Sequence, residues 1–425
     1  MEDQRAPAPA LLSGDTNSLS FSSELERSNY LRYGIGVGAT YDDNANNVAT
    51  GRIGDFSYSI LPSIELDQTR SRLHWTLGYT AGFTANQRLT ARNQGSHDLT
   101  GTLQYRLSPH VDLRLSDSFL DVTGLLQQYH NGINAPVTGP ISQPNPTLIT
   151  PLAKSINNTA AADISYQYSE GNVIGGGGTF YDAHFRDIPA GTAQLRDTST
   201  RSGNAFFNHR FTARNWTSVT YKYSHIASTP GVNTDVTHSV LLTHTIYLAQ
   251  HMTLSFFAGP EYSSLDTQTV TMLIAPPVIS FAAFSNHENF LSAAGGANFS
   301  WQGQLTSVRL GVARQVSDGG GLLGAVVLTN VNGGIRRQLT RSMAVNLNAQ
   351  YGRNRELGSA LAGNTPLQSA SGEAGVEQKL GANFLLRLQY DRDYQKGSLA
   401  TPVGSLNHNR GTVSISYNFT RPMGR

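Results

Sequence analysis

From Tyr30 onward the chain alternates apolar residues with small or polar ones. Tyr33, Ile35, Val37, Ala39 and Tyr41 are separated by Gly34, Gly36, Gly38 and Thr40, and a period of two is the mark of a β-strand with one apolar face. The cleanest case sets Leu73, Trp75, Leu77, Tyr79, Ala81 and Phe83 against His74, Thr76, Gly78, Thr80, Gly82 and Thr84. Further runs cover Leu99 to Leu107, Ile164 to Tyr168, Val236 to Leu248, Met252 to Tyr262, Met343 to Tyr351, Phe384 to Tyr390 and Val413 to Phe419. Together they predict about eighteen strands, roughly 23 residues apart, which fits strands of about ten residues plus connections.

The connections alternate between tight polar turns and longer segments. Turns fall at Ser108-Pro109-His110, Glu170-Gly171-Asn172, Ala213-Arg214-Asn215, Ala249-Gln250-His251, Gln302-Gly303-Gln304, Thr340-Arg341-Ser342 and Gly381-Ala382-Asn383. Longer segments run from Asp42 to Arg52, Thr123 to Asn157, Asp187 to Asp197, Asp266 to Asn286, Glu356 to Pro366 and Gly397 to Asn407. Such alternation predicts an all-β, up-and-down antiparallel transmembrane barrel, with turns and both termini in the periplasm and the longer loops outside. The structural alternative is a soluble β-sandwich, propeller or β-helix; a propeller would need a recurring motif every 40 to 50 residues or so, which is not visible, and a parallel β-helix short regular coils. The barrel is predicted over 30–419, after a Pro-rich arm or linker at 1–29 and before a short tail at 420–425.

Composition narrows the class. Hydrophobic residues make up 39% and charged residues 14% of the 425, and cysteine is absent. The mean hydropathy of -0.29 suits strands that need apolar side chains on one face only. No apolar run reaches the length of a transmembrane helix, and no apolar signal core follows Met1, so the chain reads as a mature or trimmed form. A net charge of +2 without a basic stripe speaks against nucleic acid as a partner. No phosphate loop, His-Glu-x-x-His helix or Gly-x-Ser-x-Gly elbow occurs, so no catalytic, cofactor or metal site is predicted. The enzyme alternative is a hydrolase with Ser, His and acidic residues scattered over different strands.

Taking the more apolar parity as lipid-facing puts most strand charges in the lumen. Positive lumen candidates are Arg72, Arg106, Arg114, Arg186, Arg210, Lys222, Arg309, Arg336, Lys379 and Arg387. Negative ones are Asp55, Glu65, Asp98, Asp112, Asp163, Asp182, Asp235, Glu261, Glu373, Glu377 and Asp391. The pore-lining set chosen from them is Arg72, Asp98, Arg106, Asp112, Arg114, Asp182, Arg186, Arg210, Lys222, Glu261, Arg309, Arg336, Glu373 and Arg387. Similar numbers of both signs predict weak ion selectivity; the plain alternative is cross-strand ion pairs within the wall.

Trp75, Tyr105, Tyr168, Phe211, Trp216, Trp301, Phe384 and Phe419 fall near the turn ends of strands. Tyr41, Tyr181, Tyr223, Tyr262, Tyr351 and Tyr390 fall near the other ends, so two aromatic girdles are predicted. Phe180, Phe206, Phe257 and Phe290 take the lumen parity, while His238 and His244 break the apolar one. The segment Thr123 to Asn157 holds Pro136, Pro140, Pro144, Pro146 and Pro151, with Lys154 its only charge. A connection that long points to function, either folded inward to narrow a pore or lying outside as a cap. The apolar connection Asp266 to Asn286 reads as a strand extension or a packing segment.

The first strand ends Tyr41-Asp42-Asp43-Asn44, which resembles the first hairpin of bacterial outer-membrane β-barrel porins, some of them associated with exopolysaccharide secretion. The final strand, Val413 to Phe419, resembles the terminal strand recognised by barrel-assembly machinery, although Thr420 to Arg425 follow it. The resemblance implies an outer-membrane channel for passive diffusion of small hydrophilic solutes. The alternatives are polysaccharide export with a periplasmic partner, and a plugged structural or adhesive barrel. Its implied surroundings are outer-membrane lipid and lipopolysaccharide, and its solutes include saccharides.

Overall fold

The computed structural model describes residues 29–123, 145, 147–148, 153–187, 195–229, 233–275, 278–358, 366–397 and 405–423, and for 268–284 the backbone alone. The predicted N-terminal arm lies outside these except for Asn29, as do the five prolines of the long connection.

A single sheet of 18 antiparallel strands closes on itself. The first half is β1 (Asn29–Asp42), β2 (Asp55–Thr69), β3 (Leu73–Asn86), β4 (Gln94–Ser108), β5 (Val111–Thr123), β6 (Lys154–Ser169), β7 (Asn172–Arg186), β8 (Asp197–Thr212) and β9 (Asn215–Thr229). The second is β10 (Asn233–Ala249), β11 (Met252–Ala275), β12 (Val278–Gln302), β13 (Thr306–Gly319), β14 (Leu323–Gln338), β15 (Met343–Glu356), β16 (Leu367–Leu380), β17 (Phe384–Lys396) and β18 (Leu406–Pro422). Each strand pairs with its sequence neighbours, and β1 closes the ring by pairing with both β2 and β18. Closure leaves no sheet edge around the ring, the condition for a sheet to stand in lipid.

The strand number and the alternation of turns and loops match the sequence reading. Two boundaries move. The long connection ends earlier, because β6 begins at Lys154, and the segment Asp266 to Asn286 is the top of an extended β11–β12 hairpin.

Residues in register share a face, so faces can be followed round the ring. Ile415, Val37, Ile60 and Phe83 form one row and are 37%, 43%, 49% and 58% exposed: this is the outer surface. The next row, Ser414, Gly38, Ser59 and Thr84, faces inward. The apolar parity is therefore outward here, and its hydrocarbon would be costly in water but suits lipid.

The wall is uneven at one place. β12 pairs with β13 only through Gly295–Gln302 and Ser307–Arg314, while it stays paired with β11 up to Val278. Above that point the β13–β14 hairpin leans into the lumen, where Val316 and Ala325 pack on the inward Ile226 of β9. The backbone freed from the ladder needs a new partner. Glu261 of β11 supplies it, its carboxylate accepting the Val316 N–H at 3.0 Å.

Candidate functional site: a loop anchored across the lumen

The connection between β5 and β6 reaches the far wall. Among its described residues, Asn145, Thr147 and Leu148 are 7%, 3% and 4% exposed, and their partners lie on β13, β15 and β16. In a ring of 18 strands, β14 stands nine steps from β5 in either direction, so Asn145, Thr147 and Leu148 sit on the far side of the bore from β5.

The anchor is polar and reciprocal. The Asn145 N–H donates to Asp318 Oδ1 at 2.9 Å and its amide Nδ2 to the Asp318 carbonyl at 3.2 Å. Asn145 Nδ2 also donates to Asn354 Oδ1. Asn354 in turn donates through Nδ2 to Thr147 Oγ1 at 2.9 Å, and the Ser369 hydroxyl donates to the Thr147 carbonyl. Thr147 Oγ1 donates to Asn145 Oδ1 at 2.7 Å, closing the cluster. Room for Thr147 comes from Gly352, where a Cβ would sit 2.2 Å from the Thr147 Cβ.

A second contact fills the lumen from another side. Tyr181, Ala183 and Phe185 of β7 form a buried cluster with Ala153 and Leu195, against which Leu322 packs from the β13–β14 turn. Gly321 at that turn has φ +79°, and a Cβ there would lie 2.5 Å from the Phe185 ring. Its carbonyl accepts the Arg196 N–H at 2.8 Å.

Most of the fourteen candidates lie on the inward parity. Arg106 faces Asp112, Arg114 faces Asp163, and Arg387 faces Glu377 across neighbouring strands. Lys222 and Glu261 both neighbour Ser239, while Arg309, Arg336, Glu373, Arg210 and Asp98 share the same face of their ladders. Several are tied into the wall: Glu377 bridges Arg336 at 2.9 Å and Arg387 at 2.7 Å, and Arg106 lies 3.6 Å from Asp112.

Three of the fourteen are placed otherwise than the sequence predicts, and three aromatic residues with them. Arg72 lies in the turn between β2 and β3, where its carbonyl accepts the Arg106 N–H. Asp182 and Arg186 point outward, in register with Asn158 and Lys154, on the same parity as Ile174. The aromatic residues of β7 invert with them: Phe180 is outward and 39% exposed, whereas Tyr181 is inward and 4% exposed. Trp216, 4% exposed, is likewise inward, below Arg210 whose guanidinium lies 5.9 Å from its ring, so neither Tyr181 nor Trp216 belongs to a girdle. Phe206 and Phe257 are inward and buried, and Phe290 is inward. His238 and His244 are outward, with ring nitrogens 2.8 Å from the Tyr221 hydroxyl and 2.9 Å from the Thr217 hydroxyl.

No family profile matches the chain, and no curated protein does. Among solved structures it is similar to Pseudomonas aeruginosa OccK2 (OpdF) in complex with glucuronate, at 13% identity and a TM-score of 0.45, over 92% of this chain and 100% of that one. It is also similar to P. aeruginosa OpdQ at 11% identity and a TM-score of 0.46, over 93% and 99% of the two chains. Acinetobacter baumannii OccAB3 matches at 9% identity with a TM-score of 0.43, over 93% and 100%.

Proposed function

We propose that this chain is a bacterial outer-membrane channel that passes small hydrophilic solutes by diffusion, without chemistry, through a lumen narrowed by the β5–β6 connection. The carrying observation is the anchor of Asn145 and Thr147 on the opposite wall: a loop held across the bore sets a cross-section. Towards the turn end the inward side chains stay open to solvent, with Arg336 57% and Arg387 49% exposed, which supports a pore over a barrel plugged throughout. An outward apolar belt supports the membrane setting, since about 2–4 kcal/mol opposes each Arg or Lys placed at the bilayer midplane.

Towards the long-loop end of β13, β15 and β17 the outward face carries exposed Arg314, Arg353, Arg355 and Arg392. Such a row suits the phosphate groups of lipopolysaccharide, and it supports placing the long loops outside the cell. Single-channel conductance in planar bilayers, with neutral oligosaccharides of increasing length, tests the reading. Steady steps with a sharp length cut-off are expected; folded protein that gives no steps would overturn it.

A further inference from the structure

Inward charges of the two signs are unevenly distributed along the barrel axis: near the turn end Glu65, Asp112 and Glu377 are met by a larger number of arginines. Near the turn end stand Arg32, Arg106, Arg210, Arg309, Arg336 and Arg387, each within three residues of its strand terminus. The long-loop half carries an excess of acid: Asp98 and Asp235 are inward there in addition to the row that follows, while Arg88 and Arg92 lie near Asp55 and Asp42. One register row crosses five neighbouring strands as Glu373, Asp391, Arg410, Asp42 and Asp55, four carboxylates to one guanidinium. Its single Arg410 is committed to a further acid, donating from Nη2 to Asp393 Oδ2 at 2.6 Å.

Glu373 and Asp391 face each other directly and are only 6% and 8% exposed. Like charges so placed repel, and their protein partners are amides: Asn346 donates to Glu373 at 2.7 Å and Gln389 to Asp391 at 2.9 Å. Gln350, 5% exposed and two residues along β15 from the register partner of Glu373, has neither amide atom hydrogen-bonded among the described residues. Oδ1 of Asn330, 2% exposed, and Glu373 Oε2 are in the same condition. Asn330 pairs in register with Gly352, under Thr147. Beneath the loop anchor, then, a set of buried oxygen acceptors lies beside two facing carboxylates, with Arg387 and Arg410 the cations that act on them from the wall.

We infer that the long-loop half of the lumen recruits cations and that the preferred solutes are small organic cations bearing an amine or guanidinium group. This rests on the pore reading above. A low-dielectric wall focuses the field of a local excess of one sign into the bore and raises the local concentration of counter-ions, so balanced totals do not make a neutral path.

The test is the reversal potential of the wild-type channel under a potassium chloride gradient. A potassium preference on the order of tenfold is expected at low salt, collapsing near 1 M where the screening length is about 3 Å. 1,4-Diaminobutane added at the long-loop end is expected to interrupt the current at lower concentration than when added at the turn end. In the Glu373→Gln/Asp391→Asn double variant the cation preference should fall about twofold or more. Wild-type steps that reverse at zero or on the chloride side would overturn this inference and leave the pore reading standing. An absence of steps from folded protein would remove both. The sidedness of the diaminobutane block is read on wild-type protein, so it holds even where the variant fails to fold.

Discussion

Asn44 has no exposed surface, and its side-chain amide is bonded at both ends. Nδ2 donates to the Val48 carbonyl at 2.9 Å and the Asn407 carbonyl at 3.2 Å, while Oδ1 accepts the Val48 N–H at 3.2 Å. Its neighbour Asp43 accepts the Asn409 N–H at 2.8 Å and that residue's amide at 2.6 Å. The Tyr-Asp-Asp-Asn ending of β1 thus ties the β1–β2 connection to β18 where the ring closes, which gives the short motif a structural cause. Asn44→Ala would strand buried backbone groups at that seam at a cost of about 1–3 kcal/mol. Its folded form should convert to the unfolded one at a lower temperature in heat-modifiable electrophoresis, and unchanged conversion would show that the seam does not depend on this amide. Residues were legible where one rule governs both faces. Val37 and Gly38 obey it, but Tyr181 and Asp182 reverse it, because the lumen beside β7 is packed with apolar side chains and the outward end of that strand carries charge. Local alternation contains no record of what fills the bore.

At the scale of elements, strands and tight turns were legible because their signals are local: period two, then a polar turn. The anchor of the β5–β6 connection was not, since Asn145 and Asn354 meet across 209 residues of sequence. Proline content and length marked the connection as special and left its destination open. The inward lean of the β13–β14 hairpin was equally hidden, although the Gly319-Gly320-Gly321 run marks its turn and Glu261, chosen as a pore-lining acid, proves to hold its backbone. Two substitutions probe the anchor from opposite directions. Gly352→Val puts a side chain where Thr147 lies, and Asn354→Ala removes the amide that bonds both Asn145 and Thr147, at about 1–3 kcal/mol. Both should raise single-channel conductance and admit longer saccharides than the wild type. A cut-off that stays fixed in both would mean that another segment sets the cross-section.

For the whole molecule, the closed ring and the two faces were legible because they follow from one arithmetic: an even set of alternating strands whose apolar parity must meet lipid. The acidic excess of the long-loop half was not, because the total of each sign says nothing about height; only the strand register places Glu373 and Asp55 in one row. The same register gives a direct test of the membrane reading. Val37 lies near the middle of β1, in an outward row with Ile415 and Ile60, whereas Ser59 sits one step away on the inward face. Val37→Arg should lose about 2–4 kcal/mol of folding stability in lipid vesicles, the midplane cost of an arginine. Ser59→Arg, whose guanidinium can reach lumen water, should lose much less. Denaturant titration of both variants in the same vesicles measures the difference. Equal losses would mean that the two parities see the same solvent, and the barrel would not be standing in a bilayer with its apolar rows outward.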